Sequence, residues 1–396
     1  MDLKDSAAEA EFRTRVRNWL SEALPKLPAA RELARLEDKR QVWSVWQRML
    51  FDAGFAGLSW PAEFGGAGAD AKTKAAFNEE LDRAGAPERL NIIGEDFAGP
   101  TIVTFGDDAQ KQRYLEPILK GDEVWCQLFS EPESGSDLAS LRTKATKVDG
   151  GWTIQGQKIW TSRAQIADNA ILLARTGGGD RHRGITYFLL PMTSAGITVR
   201  PLAHMLGEAE FNEVFLDDVF LPDSAVLGDV DGGWTVAMAT LAFERVGIAT
   251  GRVNTTRAVS DLIEQASLTR GEDDLPVTDK PEIRQKIADL YGRALIHYLI
   301  GQRVITSAAA GQPPGPVASI GKLFFCPLVE DIADFGLELC DFGGQFGLET
   351  GEDERNPVQQ RWLRLAYQAR GTAIAGGSTF IQRNIAAERV LGMPRS

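Results

Sequence analysis

The stretch Val124–Arg163, VWCQLFSEPESGSDLASLRTKATKVDGGWTIQGQKIWTSR, decides how this chain of 396 residues is organised. It is rich in strand formers and stands between two long segments with helical spacing. Its loop, Glu131-Pro132-Glu133-Ser134-Gly135-Ser136-Asp137, consists largely of small hydroxyl, acidic and glycine residues, which leave backbone N–H groups exposed. Arg142 to Ile154 then predicts a hairpin turning at Asp149-Gly150-Gly151, and its second arm ends in Trp160-Thr161-Ser162. A Ser/Gly-rich loop beside a Trp and small hydroxyls suits a flat aromatic ligand with a polar edge. The competing reading is a surface hairpin with a buried Trp.

Working outward, the N-terminal side is helical. Phe12, Val16, Trp19, Leu20 and Leu24 share one face of a helix over residues 6–24 that Pro25 closes, and Leu33 to Ala53 repeats the pattern until Gly54. Further helices are predicted at Ala71–Ala84, Ile92–Phe105 and Gln110–Leu119. From Glu123 the period becomes two, with strands at Ala170–Arg175, Gly184–Leu190, Ile197–Pro201 and Asn212–Pro222. Helical periodicity returns over Gly233–Leu268, Lys280–Ala310, Val317–Leu339, Trp362–Ala375 and Thr379–Val390. The chain therefore reads as mostly α with a central β domain: an N-terminal helical domain (1–122), a middle β domain (123–228) and a C-terminal helical bundle (229–396).

Composition narrows the function. A net charge of −12 argues against a nucleic-acid or anionic-membrane surface. Three scattered cysteines without CxxC spacing argue against a disulfide framework and a zinc site, and suit a reducing compartment, so the expected location is cytoplasmic. The charged N-terminus lacks the apolar core of a signal peptide, and no run approaches the roughly 18 apolar residues of a membrane span. GxGxxG, GxxxxGK[ST] and HExxH are all missing, and His182, His204 and His297 are far apart in sequence, so no metal site is expected.

Any acid–base chemistry then falls to a carboxylate. Glu244 lies in a helix apolar on nearly every face, where burial would disfavour the charged form and raise its pKa toward that of a useful base. The alternative is a structural pair between Glu244 and Arg245 on the one polar edge of that helix.

Five stretches, in order, resemble the acyl-CoA dehydrogenase family. They are Gly106-Asp-Asp-Ala-Gln-Lys-Gln-Arg-Tyr-Leu with Pro117-Ile-Leu-Lys-Gly121, then Ser130-Glu-Pro-Glu-Ser-Gly-Ser-Asp137, then Gly156-Gln-Lys-Ile-Trp-Thr-Ser162. Phe211-Asn-Glu-Val-Phe-Leu-Asp-Asp-Val-Phe-Leu-Pro222 and Ile381-Gln-Arg-Asn-Ile-Ala-Ala-Glu-Arg-Val-Leu-Gly392 complete the set. The resemblance implies a helical domain, a β-barrel-like middle domain and a C-terminal four-helix bundle that mediates tetramerisation. It implies FAD as cofactor, bordered by Gln127, Phe129, Ser130, Trp160, Thr161, Ser162, Ser378 and Phe380. Ser136 would contact the CoA-bearing substrate, with Arg245 beside it. The implied reaction is α,β-dehydrogenation of an acyl-CoA in lipid β-oxidation, with hydride passing to flavin N5 and electron-transfer flavoprotein as acceptor.

Three departures shape the expectation. Many members carry the base as Glu in the terminal loop, where this chain has Ala375-Gly376-Gly377; Glu244-Arg245 matches the members that place it on the earlier helix. Glu244 is therefore expected as base and the Gly376 N–H as donor to the thioester oxygen. The bulk lost from that loop favours branched, cyclic or dicarboxylic acyl groups. Finally, Arg270-Gly-Glu-Asp-Asp274 and Cys340-Asp-Phe-Gly-Gly-Gln-Phe-Gly347 depart from the runs that complete a neighbour's FAD site. A homotetramer and an α2β2 heterotetramer with a paralogue both remain open, as do an acyl-CoA oxidase and a non-catalytic subunit.

Overall fold

The computed structural model describes residues 4–28, 36–179, 181–205, 209–247, 255–271, 273–311, 315, 317–340 and 357–394. The chain divides into two compact units, one holding Asp5–His204 and Glu208–Gly247, the other Met1–Lys4, Met205–Gly207 and Ile248–Ser396.

The first unit begins with helices α1 (Ala7–Ala23), α2 (Leu36–Asp52), α3 (Ala71–Arg83), α4 (Gly99–Phe105) and α5 (Asp108–Lys120). Ser6 caps α1 by accepting from the Glu9 N–H at 3.2 Å while the Glu9 carboxylate accepts from the Ser6 N–H at 2.6 Å. Val16, Leu20, Trp46, Leu50, Phe55 and Phe77 form the core between these helices. Glu80, fully buried on α3, is satisfied by Arg17 at 2.7 Å, Arg83 at 2.9 Å and Arg13 at 3.1 Å. The helix expected over Ile92–Phe105 is present, with Gly94–Ala98 wound as a π turn ahead of α4. That wider turn buries Glu95 and Asp96, which pair with Arg89 at 3.0 and 2.8 Å.

Seven strands follow: β1 (Trp125–Leu128), β2 (Lys144–Val148), β3 (Gly151–Ser162), β4 (Asn169–Arg175), β5 (Ile185–Pro191), β6 (Ile197–Leu202) and β7 (Phe211–Pro222). The sheet order is β1-β4-β2-β3-β7-β6, with β5 also pairing β4. The hairpin predicted from Asp149-Gly150-Gly151 is β2–β3, with Val148 opposite Gly151 and Gly150 at φ +71°. Side chains from β1, β2, β3, β4, β5 and β7 meet in one core around Trp152, Leu172, Phe188 and Val214, so the sheet curls on itself. The opposite faces of β4 and β5 pack through Ile171, Leu173, Tyr187 and Leu189 against Ile102, Leu115 and Ile118 of the helices. Burial on both faces explains why these two strands read as continuous apolar runs rather than as alternating ones.

Helix α6 (Gly233–Gly247) closes the first unit. A side chain at Gly233 would meet the β5 backbone at Tyr187 N, 2.6 Å away, so the helix can start there only with glycine. The helix expected over Gly233–Leu268 is described as α6 and α7 (Thr255–Leu268), with residues 248–254 outside the description. The second unit also holds α8 (Pro281–Ala309), α9 (Val317–Glu338), α10 (Pro357–Thr372) and α11 (Thr379–Arg389). Val259, Leu262, Leu290, Leu328, Ile332, Phe335 and Trp362 form its core. Helix α10 starts five residues earlier than the periodicity indicates, at Pro357, whose fixed φ suits a first helical position. No described helix is long and apolar enough to cross a membrane.

Candidate functional site

The expected site residues fall on both units. Gln127, Phe129, Ser130, Ser136, Trp160, Thr161, Ser162 and Glu244 lie in the first, and Gly376, Ser378 and Phe380 in the second.

In the first unit the two arms of the opening stretch are joined by a pair that the sequence analysis did not single out. Lys158 is fully buried, and its Nζ donates to the Phe129 carbonyl at 3.1 Å and to Glu131 Oε1 at 2.8 Å. The Glu131 carboxylate also accepts from the Arg142 and Thr143 N–H groups at 2.6 and 2.9 Å. One residue on, the Ile159 N–H donates to the Ser130 carbonyl at 3.0 Å. Burial pushes the Lys158 ammonium down to about 8 against the opposing pull of Glu131. For Glu131 burial acts upward, yet Lys158 and the N–H donors outweigh it and hold the carboxyl below its usual range. The signal that could have found the pair is parity. Trp152, Ile154 and Lys158 share the inward face of β3, so the lysine had to meet a buried acceptor.

Directly after Lys158 the β3–β7 register shifts, because Ile159 and Trp160 stand where β7 has one residue. Trp160 takes φ 60°, uncommon for a bulky residue, and is 60% exposed with its ring edge-on to Phe211. The extra residue reverses the alternation, so Thr161 is buried while Ser162 is half-buried. The Thr161 hydroxyl is enclosed and has no hydrogen-bond partner among the described residues. An exposed indole face beside a buried, unpaired hydroxyl and the half-buried Ser130 and Ser162 fits a flat ligand with polar edges. Ser136 is exposed at the tip of the Glu131–Asp137 loop, which is closed by reciprocal Glu131 and Ser134 backbone bonds of 3.0 Å.

Glu244 stands one turn after Thr240 on α6 and is half-buried, less enclosed than an all-apolar helix implied. The side chain of Arg245 lies outside the described residues. Thr240 Oγ1 is 3.2 Å from the Tyr187 hydroxyl and 3.0 Å from Thr101 Oγ1, which in turn donates to the Phe97 carbonyl at 2.7 Å. Phe129 packs edge-on against Tyr187, with 5.9 Å between ring centroids. The β1 arm and the Glu244 helix are thus linked through one buried aromatic and hydroxyl chain.

In the second unit Gly376 is exposed at φ 61° in the turn between α10 and α11. Ser378 caps α11, and Phe380 is 74% exposed on its first turn. Lys322 of α9 donates to the carbonyls of Ala375 and Gly377, and Gln382 to that of Gly376. Neither side chain was expected from the sequence. Arg270 is exposed and donates to the Asp274 carbonyl at 3.3 Å, while residues 341–347 lie outside the description.

Comparison with known proteins adds the family. Residues 6–122, 126–219 and 231–391 match the models for the N-terminal, middle and C-terminal domains of acyl-CoA dehydrogenase. The chain is 38% identical to "Acyl-CoA dehydrogenase IpdE1" of Mycobacterium tuberculosis, covering 97% of this chain and 98% of that protein. It is similar to a chain of the ChsE4–ChsE5 complex from Mycobacterium tuberculosis, with TM-score 0.87, 27% identity and full coverage of both chains. A chain of the structure described as "Tcur3481-Tcur3483 steroid ACAD" gives TM-score 0.85 at 27% identity, also with full coverage of both.

Proposed function

The chain belongs to the acyl-CoA dehydrogenase family, and on that premise we propose that it dehydrogenates a bulky acyl-CoA thioester with Glu244 as the base. It is an oxidoreductase of the acyl-CoA dehydrogenase type, and FAD is the cofactor that family members bind. In this reading the three-part division at 122 and 228 is kept, and the protein acts in the cytoplasm.

The observation that carries the proposal is the pairing of a ligand face with a carboxylate helix inside one unit. Trp160 and Thr161 offer an open indole and an unpaired hydroxyl, and the Phe129–Tyr187–Thr240 chain ties that face to the helix bearing Glu244. Gln127, Phe129, Ser130, Trp160, Thr161, Ser162, Ser378 and Phe380 are the residues that would hold the flavin. Bound FAD supplies an acceptor for the β hydrogen as hydride. Glu244 removes the α proton, and the Gly376 N–H donates to the thioester oxygen as negative charge develops there. Ser136 and Arg245 bind the CoA-bearing substrate. Electrons pass on to an electron-transfer flavoprotein.

The small-residue loop Ala375-Gly376-Gly377 supports an acyl group with bulk near the reacting carbons: branched, cyclic or dicarboxylic. Among these the steroid assignment of a structural neighbour favours a ring-bearing chain. Two such neighbours carry paired names, and Arg270 here is followed by acids and held to its own turn, which together support an α2β2 assembly with a paralogue over a homotetramer. Purification with and without a co-expressed paralogue, followed by an acyl-CoA panel and an artificial electron acceptor, tests both parts. A yellow protein bleached by a ring-bearing acyl-CoA, and left unbleached in the Glu244→Gln variant, is the expected result. Full turnover by Glu244→Gln with FAD bound would remove the base assignment.

A further inference from the structure

The loop Ala375-Gly376-Gly377 has no side chain able to fix its own orientation, yet all three of its carbonyls are held. Lys322 Nζ, from α9, donates to the Ala375 oxygen and, at 2.9 Å, to the Gly377 oxygen. Gln382 Nε2, from α11, donates to the Gly376 oxygen at 3.1 Å. On either side the chain is closed by its own backbone, Ala375 N–H to Gly371 at 3.0 Å and Thr379 N–H to Ala373 at 3.2 Å. Gly376 and Gly377 sit at φ 61° and 89°, a region glycine enters at little cost. Among the described residues, the Gly376 N–H donates to no protein acceptor.

Building on the reading of that N–H as donor to the thioester oxygen, we propose that Lys322 is its positioning residue, orienting and polarising it through the peptide unit it shares with the Ala375 carbonyl. The Ala375–Gly376 peptide is trans and planar, so its C=O and N–H point in opposite directions. The ammonium holds one end and the open donor is the other. A cation on the carbonyl draws electron density along the amide and makes the N–H a stronger donor, by the same polarisation that strengthens chained hydrogen bonds by about 10–30% each. Gln382 holds the next peptide unit, so its neutral amide sets the turn without charging the Gly376 donor. All of these groups lie within the second unit.

The test uses FAD-loaded protein and acetoacetyl-CoA, a thioester whose α proton is acidic enough to leave without an enzymic base. The enolate fraction of the bound probe is read by near-ultraviolet absorption across a pH series. The parent should lower the probe's apparent pKa below its value in free solution. Lys322→Met should raise it again by about one unit, a tenfold loss of enolate at fixed pH. Lys322→Gln, which keeps a hydrogen-bond donor without the charge, should fall between, Lys322→Arg should recover most of the shift, and Gln382→Met should move it by less than about threefold. A purely structural lysine would lower the melting temperature and leave the probe's pKa alone. That outcome, in Lys322→Met and Lys322→Gln alike, overturns the proposal while the Gly376 assignment stands. A parent that gives no shift removes the Gly376 assignment itself, and the proposal with it.

Discussion

The two loops assigned to the reacting region are fixed in opposite ways. The arm Phe129-Ser130-Glu131 is locked by a fully buried lysine and by strand bonds, whereas Ala375-Gly376 is exposed and tethered from outside by two long side chains. Burial gives the first arm rigidity at the expense of desolvating two charges, which then stay safe only as a pair. The second loop gains direction without being buried itself, and of its two tethers the half-buried Lys322, unlike the buried Gln382, can be altered with little cost to the fold. Damage to the first should therefore appear as lost stability and lost flavin, and damage to the second as altered chemistry in a sound protein.

The largest expected effect belongs to neither loop. Glu244→Gln should lower turnover by about 10³-fold with FAD retained, within the range for loss of a general base. Steady-state rates and the flavin spectrum of the same sample check it, and unchanged turnover would leave the two loops without their acid–base partner. Next, Lys158→Met strands Glu131 in the core and should cost about 3–5 kcal/mol in stability. Denaturant melts and FAD released on gel filtration measure this. A loss under about 1 kcal/mol would erase the contrast drawn above.

Thr161→Val separates ligand contact from fold. Its hydroxyl has no partner among the described residues, so the apoprotein's melt should move by under about 0.5 kcal/mol. FAD affinity should fall about tenfold, as for one lost hydrogen bond, read by flavin fluorescence titration. The smallest effect is set by pH. Burial acts upward on Glu80 and Glu131, but the arginines around Glu80 and Lys158 beside Glu131 hold both below the usual carboxylate range. The unfolded chain takes up these protons near its ordinary values of about 4, before the folded chain does. Stability is thus full above that point and falls as pH drops through the lowered folded values. Glu80→Gln should flatten the acid limb of a melting-temperature profile, and an unaltered limb would show that Glu80 does not set it.

Much of this is legible in the sequence alone. The turn at Asp149-Gly150 placed the hairpin, because two residues with glycine at positive φ leave the chain few alternatives. The family stretches brought the FAD cofactor with them. The polar tethers were not legible, for a physical reason. Lys158 and Glu131 are 27 residues apart, and Lys322 and Ala375 are 53 apart, so no local spacing links them. The π turn at Gly94–Ala98 escaped as well, since one added residue per turn barely disturbs an apolar pattern.

Gly233 has a further consequence for Glu244. With no room for a side chain against Tyr187 N, it acts as the zero mark of a ruler, and α6 runs unbroken from there past Glu244. Each residue advances a helix by about 1.5 Å and about 100°. Inserting or deleting a single residue between positions 233 and 244 would therefore swing the carboxylate about a quarter turn around the axis while leaving the composition almost unchanged. The tolerated length of that segment is fixed, even where its individual side chains are free to vary.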